Sequence, residues 1–314
     1  MAEAVARFRN DCVALVGNPV GPLAVAVSGG PDSMALLALA KATGPTIAAT
    51  VDHRLRSESA VEAAMVARWC RERDIPHATL VPPADWSPRS IQADARRLRY
   101  DLLAGWATAE GAKVLLTAHH ADDQAETFLM RAGRGSGVSG LGGIRAARPL
   151  GGLTLARPLL GWRRAELRAV VDAMGVPFVD DPSNADPRFD RARMRVWLAD
   201  APINAAGVAL SAAACGEAAA ALDTLADLLF AERRRGDGWD VAGLPREMRR
   251  RLVTRAILDV RTSTPCEGRF DPATNVESVL DALEDGGKAT LAGVLAFVRG
   301  GIWHFTAAPP RRSD

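Results

Sequence analysis

The chain has 314 residues, of which 48% are hydrophobic and 24% are charged, a composition that predicts buried cores and about two domains. The net charge of +2 does not by itself predict a nucleic-acid partner, no apolar run approaches the ~20 residues of a membrane span, and the N-terminus lacks the pattern of a signal peptide. The four cysteines are scattered without a Cys-x-x-Cys pair, which argues against a zinc ribbon, a redox motif or a disulfide framework and favours a reducing cytoplasm.

The first predicted strand, residues 23–28, ends in two glycines and then in Pro-Asp-Ser, the start of a helix predicted to reach about residue 42. A strand that turns tightly into a helix leaves N–H groups beside the positive end of the helix dipole, where phosphate binds. This segment matches neither the Walker pattern nor the dinucleotide pattern Gly-x-Gly-x-x-Gly. The segment therefore predicts a phosphate-binding turn rather than an ordinary strand–turn–helix joint, and the turn consists of Ser28, Gly29, Gly30, Pro31, Asp32 and Ser33. Its carboxylate could hold a metal ion that is bound to the phosphates.

The next predicted elements alternate between strands and helices. The strands cover 46–53, 77–81 and 113–118, and the helices cover 59–73, 90–110 and 122–132. This alternation predicts a parallel sheet with helices on both faces. Ligands of such sheets bind at the carboxyl ends of the strands, so Asp52, His53 and 119–120 are expected to line one crevice with Ser28.

Imidazole and carboxylate side chains crowd residues 119–123, where a predicted strand ends and a helix begins. Carboxylates at a helix N-terminus are available to Mg²⁺, and cleavage of ATP to pyrophosphate needs a metal ion to neutralise phosphate charge. A zinc site is the alternative, although the His-Glu-x-x-His spacing is absent. The glycine-rich segment 133–143 has arginines around it, so it could clamp phosphates or a nucleic-acid backbone, or be an ordinary surface loop.

The second half of the chain begins with an amphipathic helix predicted at 161–174. Residues 204–235 are alanine-rich and predict a long helix with a basic C-terminal end, which we interpret as a connection to a second domain. That domain has helices predicted at 245–260 and 273–284, and strands predicted at 289–298 and 301–306 that form a hairpin at Gly300–Gly301. The predicted division is a catalytic domain over 1–200, a helical linker over 201–236 and a small domain over 237–314.

The order Ser-Gly-Gly-x-Asp-Ser in the first turn resembles the pyrophosphate loop of the ATP pyrophosphatases, which cleave ATP between its α and β phosphates. Further motifs resemble those of the tRNA(Ile)-lysidine synthetases within that superfamily, in the same order, at 51–56, 95–100, 116–127, 134–137, 157–160 and 180–184. The resemblance implies an α/β fold with a parallel-sheet, Rossmann-like N-type ATP pyrophosphatase domain. It also implies a long helical connection to a small α+β C-terminal domain that contacts tRNA.

The resemblance implies an activity as well. This is the ATP-dependent ligation of L-lysine to C2 of the wobble cytidine in the CAU anticodon of tRNA(Ile), through an adenylated cytidine, which changes codon reading from AUG to AUA. ATP and Mg²⁺ would be the cofactors, and tRNA(Ile) and L-lysine the partners. No membrane partner is expected, and a homodimer stays open.

By the same resemblance, each site residue has an implied role. The catalytic residues would be Asp32, Asp123, His119 and Arg99, with Asp32 and Asp123 also holding the metal ion. Asp52 and His53 would join the first turn in binding the nucleotide. Contacts to tRNA or lysine would come from Arg96, Arg134, Gly135, Ser136, Gly137, Arg191 and Arg195.

One position departs from the family, and two other functions stay open. Ala192 stands where the family commonly carries an asparagine, so the contact of that amide is missing or replaced. The first alternative is a tRNA thiolase of the same superfamily, which would need paired cysteines. The second is a nucleotide-dependent RNA-binding protein without catalysis.

Overall fold

The computed structural model describes residues 1–52, 58–83, 91–180, 190–271 and 274–309. Within it the chain divides into two compact units, Met1–Gly216 and Glu217–Asp314. The functional division at residues 200 and 236 stays a prediction.

The first unit alternates strands and helices along the chain. Its strands are β1 (Leu23–Ala26), β2 (Thr46–Val51), β3 (His77–Leu80), β4 (Val114–Leu116), β5 (Ala147–Leu150) and β6 (Leu153–Ala156). Its helices are α1 (Ala2–Val16), α2 (Pro31–Thr43), α3 (Glu58–Arg71), α4 (Ile91–Ala109), α5 (Ala121–Ala132), α6 (Val138–Leu141), α7 (Arg164–Ala173) and α8 (Asp190–Asp200).

The strands of this unit form one sheet in the order β3-β2-β1-β4-β6-β5. β1 runs parallel to both of its neighbours, with Leu23 opposite Thr46 of β2 and Val114 of β4. The predicted parallel sheet is therefore confirmed, with β1 to β4 inside the predicted ranges. The sequence analysis missed β5 and β6, an antiparallel pair joined at Gly151–Gly152, where both glycines have positive φ.

Helices cover both faces of the sheet. On one face α2 lies in a core that it shares with Phe8 of α1 and Leu167 of α7, and its residues 33–40 are all buried. A helix that is surrounded in this way is apolar on all sides, which is why its sequence shows no polar stripe. On the other face, Leu103 of α4 packs with Leu115 of β4. This arrangement leaves the carboxyl ends of the strands open to form a site.

Helix α9 (Ala205–Glu232) begins in the first unit and ends in the second. The second unit continues with β7 (Arg234–Arg235), β8 (Gly238–Asp240), α10 (Arg246–Ser263), α11 (Glu277–Glu284), β9 (Lys288–Leu291), β10 (Val294–Arg299) and β11 (Ile302–Ala307). Its sheet is antiparallel in the order β7-β8-β11-β10-β9. Trp239, Leu280 and Trp303 lie in its core.

Two local predictions in this unit are wrong, and one is confirmed. The predicted strand 289–298 is broken into β9 and β10 by Ala292 and Gly293, whose φ angles of 47° and 76° reverse the chain. The helix predicted to end in arginines stops at Glu232, because Arg234 and Arg235 instead pair with β8 as a short strand. The hairpin at Gly300–Gly301 is confirmed, since it joins β10 to β11.

Helix α9 is long and apolar enough to cross a membrane by length and composition alone. It has 28 residues, and an 18-residue window has a mean hydropathy of 1.5 with 17% of the window buried. The expectation that no apolar run approaches that length is wrong by this measure, because the helix is largely alanine. Core helices pass the same test, and the second half of α9 packs Leu222, Leu229 and Phe230 against the core of the second unit.

Candidate active site

The turn between β1 and α2 has the conformation that its glycines predict. Gly29 has a φ of 86°, a left-handed value that other residues rarely adopt, and Gly30 caps α2 with Pro31 in its first turn. The Ser33 hydroxyl donates to the Gly30 carbonyl at 2.9 Å and accepts from the Ser28 N–H at 3.1 Å. Ser33 therefore holds the turn against the helix.

This turn leaves backbone donors open at the helix N-terminus. The N–H groups of Gly29, Gly30 and Asp32 donate to no other group in the described part of the chain. They lie at the positive end of the dipole of α2, which favours an anion. The turn can therefore bind a phosphate through main-chain donors.

Asp32 carries a buried carboxylate oxygen that nothing satisfies. Its Oδ1 has no hydrogen-bond partner among the described residues, while its Oδ2 lies 3.4 Å from His120 Nε2. A buried carboxylate oxygen normally has a donor or a cation. The orphaned oxygen fits a ligand of a metal ion. Among the described residues, however, no group of three or more His, Cys, Asp or Glu side chains could hold a metal, so a cation here would take further ligands from phosphates or water.

His120 joins the turn to the start of α5. Its N–H donates to Asp123 Oδ2 at 3.1 Å, the Asp123 N–H donates to its Nδ1 at 3.4 Å, and its Nε2 lies 3.5 Å from Asp123 Oδ2. Burial lowers the pKa of His120, but the hydrogen bond to Asp32 and the charges of Asp123 and Asp32 outweigh burial and raise this pKa above its ordinary value. Burial likewise raises the pKa of Asp123, but His120 and Arg191 outweigh it and lower this pKa. Asp123 is therefore an anion beside the phosphate-binding turn.

Asp122, the neighbouring carboxylate, forms structural hydrogen bonds instead of facing the site. Arg163 donates to it from Nε at 3.1 Å and from Nη2 at 2.8 Å, and the Arg164 N–H donates to it at 2.8 Å. These bonds tie α5 to the first turn of α7. The sequence pattern could not distinguish this tied carboxylate from the one that faces the site.

Glu126 is a buried acid one turn further along α5. Its side chain is 2% exposed, and Arg195 of α8 pairs with it at 2.8 Å between Nε and Oε1. Arg191 lies 3.4 Å from its Oε2 and also donates to Thr127 Oγ1 at 3.1 Å. This pairing holds Arg191 and Arg195, two of the three arginines of α8, beside Glu126.

His119 follows β4 by three residues and precedes His120. Thr117 Oγ1 is 3.1 Å from its Nδ1, so Nε2 is the nitrogen that can face a substrate. Burial lowers the pKa of His119 to about 3, and the charges of Arg157 and Arg96 act in the same direction against the opposing charge of Asp123. His119 is therefore uncharged at neutral pH.

The other predicted site residues are placed as follows. Arg96 and Arg99 lie on α4, where both guanidinium groups contact the ring of Tyr100. Asp52 is half-buried directly after β2, and its N–H donates to the Leu80 carbonyl at 2.9 Å, whereas His53 lies outside the described residues.

The glycine-rich segment stands apart from this centre in its described contacts. Arg134 pairs with Asp190 at 3.0 Å, Gly135 has a positive φ of 70°, and Gly137 caps the short helix α6 after Ser136. Arg131 donates to the carbonyls of Gly140 and Gly143, so the segment is held by its own side-chain bonds.

The sequence analysis missed three groups of this site. Glu126 is part of a recognised motif but was not assigned a role, although an acid in the middle of an apolar helix face is a signal. Tyr100 and Arg157 lie in motifs that carried the resemblance, and the structure brings them together under Arg96. Ala192 is buried on α8, so the position of the missing amide faces inward.

The comparisons with known proteins agree with this geometry. A family model described as a PP-loop domain matches residues 4–201. A tRNA(Ile)-lysidine synthase of Novosphingobium aromaticivorans is 43% identical, with 100% of this chain and 97% of the relative covered. The same enzyme of Zymomonas mobilis is 40% identical, with 98% and 95% covered.

Among solved structures, a U34-tRNA thiolase of Methanococcus maripaludis with its 4Fe-4S cluster superposes with a TM-score of 0.54 at 16% identity, covering 69% of this chain and 78% of the thiolase. That likeness supports the fold alone. The full-length identity to two curated relatives goes further, and with the PP-loop match it shows that this chain belongs to the tRNA(Ile)-lysidine synthase family of PP-loop ATP pyrophosphatases.

Proposed function

We propose that the chain is an ATP-dependent ligase that joins L-lysine to C2 of the wobble cytidine in the CAU anticodon of tRNA(Ile), releasing AMP and pyrophosphate. The observation that carries this proposal is the identity of 43% along 100% of the chain to a curated tRNA(Ile)-lysidine synthase. The geometry supports it, because the open turn and two carboxylates meet at His120. The product would read AUA in place of AUG.

In the first step ATP binds with its phosphates on the turn 28–33. The cytidine O2 attacks the α-phosphorus, the bond from that phosphorus to the pyrophosphate oxygen breaks, and the open N–H groups of Gly29, Gly30 and Asp32 hold the departing charge. Asp32 and Asp123 would hold Mg²⁺, and Asp32 Oδ1 fits that role because it is buried without a partner in the described chain. Mg²⁺, when bound, neutralises the charge of the phosphates.

In the second step the lysine amine attacks C2 of the adenylated cytidine. The C2–N bond forms, the C2–O bond breaks, AMP leaves and the amine loses a proton to water. AMP leaves more readily than an amide-like oxygen would, which is why adenylation comes first. The Asp123 carboxylate orients the amine. The uncharged His119 offers Nε2 to the reacting centre without adding a positive charge.

The alternative, a tRNA thiolase, shares only its fold with this chain. Such an enzyme needs reactive thiolates. Cys12 and Cys70 are buried, and burial raises the pKa of each thiol to about 12, so both stay protonated. The free cysteines are consistent with a reducing cytoplasm, where we place the reaction. Light scattering in solution would decide whether the chain forms a homodimer.

The test is mass spectrometry of the wobble nucleoside after incubation of the chain with ATP, lysine and a tRNA(Ile) transcript, together with assay of pyrophosphate. We expect lysidine, and pyrophosphate only when tRNA is present; without lysine the first step should release at most one pyrophosphate per tRNA. Asp32→Asn should lower pyrophosphate release roughly 100-fold with an unchanged melting temperature. The matched control is Asp101→Asn, an exposed carboxylate of α4 that should leave turnover unchanged. An unmodified cytidine would refute the proposal, and wild-type turnover by the Asp32 variant would remove Asp32 from the site.

A further inference from the structure

The single tyrosine of the chain lies at the centre of an arginine cluster. The guanidinium carbons of Arg96, Arg99 and Arg148 lie 5.3, 5.4 and 5.2 Å from the centroid of the Tyr100 ring. Arg96 Nη2 donates to the phenol oxygen at 3.5 Å, and the nearby Arg157 also lowers the pKa of the phenol. We call these five residues the arginine–tyrosine cluster.

The positive charge of this cluster is not paired with an acid in the described part of the chain. None of its four arginines forms an ion pair with a carboxylate among the described residues. Several other arginines of the described chain do pair with acids; Arg255 of α10, for example, pairs with Asp227 at 2.6 Å. A group of cations packed together without an acid is expected to bind an anion.

Arg157 gives the second, independent sign of a ligand. Its side chain is buried, with the residue 4% exposed, and its Nε has no hydrogen-bond partner among the described residues. Burial lowers the pKa of Arg157, while the charges of Arg96 and Arg99, with that of Arg157, outweigh burial at Tyr100 and lower the pKa of the phenol. The cluster is thus a site of positive potential, with one buried donor, Arg157 Nε, that has no partner among the described residues. It is also open, because Arg96 is exposed and Arg99 and Arg148 are half-buried.

The position of the cluster indicates which anion it takes. Tyr100 packs with Leu103 and Leu115 on one face of the sheet, whereas α2, which begins at the phosphate-binding turn, packs in the core on the other face. The cluster therefore lies across the sheet from the helix whose N-terminus would hold the phosphates of ATP. An RNA substrate brings further phosphates on either side of the nucleotide that reacts, and arginine binds phosphate with two parallel hydrogen bonds.

We propose that the arginine–tyrosine cluster binds a phosphodiester of the RNA strand next to the modified nucleotide. The proposal rests on the proposed function, since it assumes that RNA is the substrate. Arg96, Arg99 and Arg148 contact the phosphate. Tyr100 and the buried Arg157 hold these three arginines in place. A pyrophosphate or nucleotide phosphate offers the same chemistry, and the experiment separates these sources.

The test uses Arg148→Ala and, as a matched control, Arg97→Ala. Arg97 lies next to Arg96 on α4, is exposed and pairs with Asp94 at 3.3 Å. Affinity for a tRNA(Ile) transcript is measured over a series of salt concentrations, and affinities for ATP and for pyrophosphate are measured by calorimetry. We expect Arg148→Ala to weaken RNA binding about 10-fold and to reduce the slope of log K against log salt by about 0.7, the value for one phosphate contact on a single strand. Binding of ATP and pyrophosphate should not change, and Arg97→Ala should leave the slope as in the wild type.

Other outcomes are equally decisive. An unchanged RNA affinity and slope in Arg148→Ala would overturn the inference, and so would a loss confined to ATP or pyrophosphate. If Arg148→Ala lowers the melting temperature, Arg99→Ala must give the same reduced slope, or the inference is wrong. Failure of the wild-type chain to bind or modify the transcript would refute the proposed function, whereas normal modification with an unchanged slope would refute only the cluster's role.

Discussion

The ion pair between Glu126 and Arg195 permits a stability prediction whose size follows from burial. The Glu126 side chain is 2% exposed and that of Arg195 is 27% exposed, with 2.8 Å between Nε and Oε1. Arg195→Met removes the cation and leaves the carboxylate in the interior. Arg191 remains as the second partner, at 3.4 Å from Oε2, but its side chain is 45% exposed and already largely hydrated.

Removing one partner of a buried ion pair costs about 3–5 kcal/mol, and the remaining contact to Arg191 places this case near 3 kcal/mol. The reverse change, Glu126→Gln, removes the buried charge itself. Arg195 can then reach water or move toward Asp123, which lies 3.9 Å away, so the expected cost is about 1 kcal/mol. The double variant should also cost about 1 kcal/mol, because no buried charge is left. The two sites should therefore couple by roughly 2–3 kcal/mol.

Thermal unfolding checks these values, with hydrogen exchange in peptides of α2 used to follow the first unit. At roughly 2–4 °C per kcal/mol for a unit of this size, Arg195→Met should lower its melting temperature by about 6–12 °C. The matched control is Arg193→Met on the same helix, whose side chain is 56% exposed and pairs with the exposed Asp190; its expected cost is below about 1 kcal/mol. The reasoning is refuted if Arg195→Met costs no more than Glu126→Gln, since Glu126 would then not be a buried anion.

Two further predictions concern the turn and the flank of the site. Gly29→Ala places a side chain at a φ of 86°, so ATP affinity measured by calorimetry should fall about 5–10-fold; Gly105→Ala, in the exposed interior of α4, should instead raise stability by up to ~1 kcal/mol. If Gly29→Ala and Gly105→Ala had equal effects on ATP affinity, the assigned backbone strain at Gly29 would be contradicted. His119 has an ordinary pKa of 6.5 in the unfolded chain and about 3 in the folded chain, so the unfolded state gains the proton as the pH falls and stability is lost below pH 6.5. Between pH 8 and pH 5 the free energy of unfolding measured in urea should fall by about 2 kcal/mol more for the wild type than for His119→Gln. The contribution of His120 cancels in this comparison, because both proteins carry it. Parallel pH profiles of the two proteins would show that His119 is not held uncharged.

The phosphate-binding turn could be predicted from sequence because its causes are local. The φ of Gly29 and the bonds of Ser33 are determined by neighbouring residues alone. These are a strand, two glycines, a proline and the serine three residues after the second glycine. The convergence of strand ends could also be predicted, because alternation of strands and helices gives parallel order. The partner of Glu126 could not be predicted in this way. It lies 69 residues along the chain, on a helix whose placement depends on tertiary packing.

The sequence also cannot show which of several similar carboxylates or arginines will face the site. Asp122 and Asp123 are adjacent, yet the first is bonded to Arg163 and the second faces His120, because successive residues at a helix start point in different directions. The sequence did not predict the chain reversal at Ala292–Gly293, because both flanking segments are apolar and together have the length of one strand. Local sequence patterns predict which residue types lie at the site. Tertiary packing determines which of these side chains are bonded to structural partners and which face the site.

The two adjacent histidines show what this packing achieves. His120 lies within 3.6 Å of the carboxylates of Asp32, Asp122 and Asp123 and has a raised pKa. Burial lowers the pKa of His119 to about 3, and the charges of Arg157 and Arg96 act in the same direction. One strand end thus separates an acidic flank from a basic flank within two residues. The acidic flank cannot accept phosphate charge unaided, so ATP binding there requires the main-chain donors of the turn and a metal ion. The basic flank can bind a phosphodiester directly. The two substrates would therefore be directed to different sides by charge, with ATP toward Asp32 and the RNA strand toward Arg148.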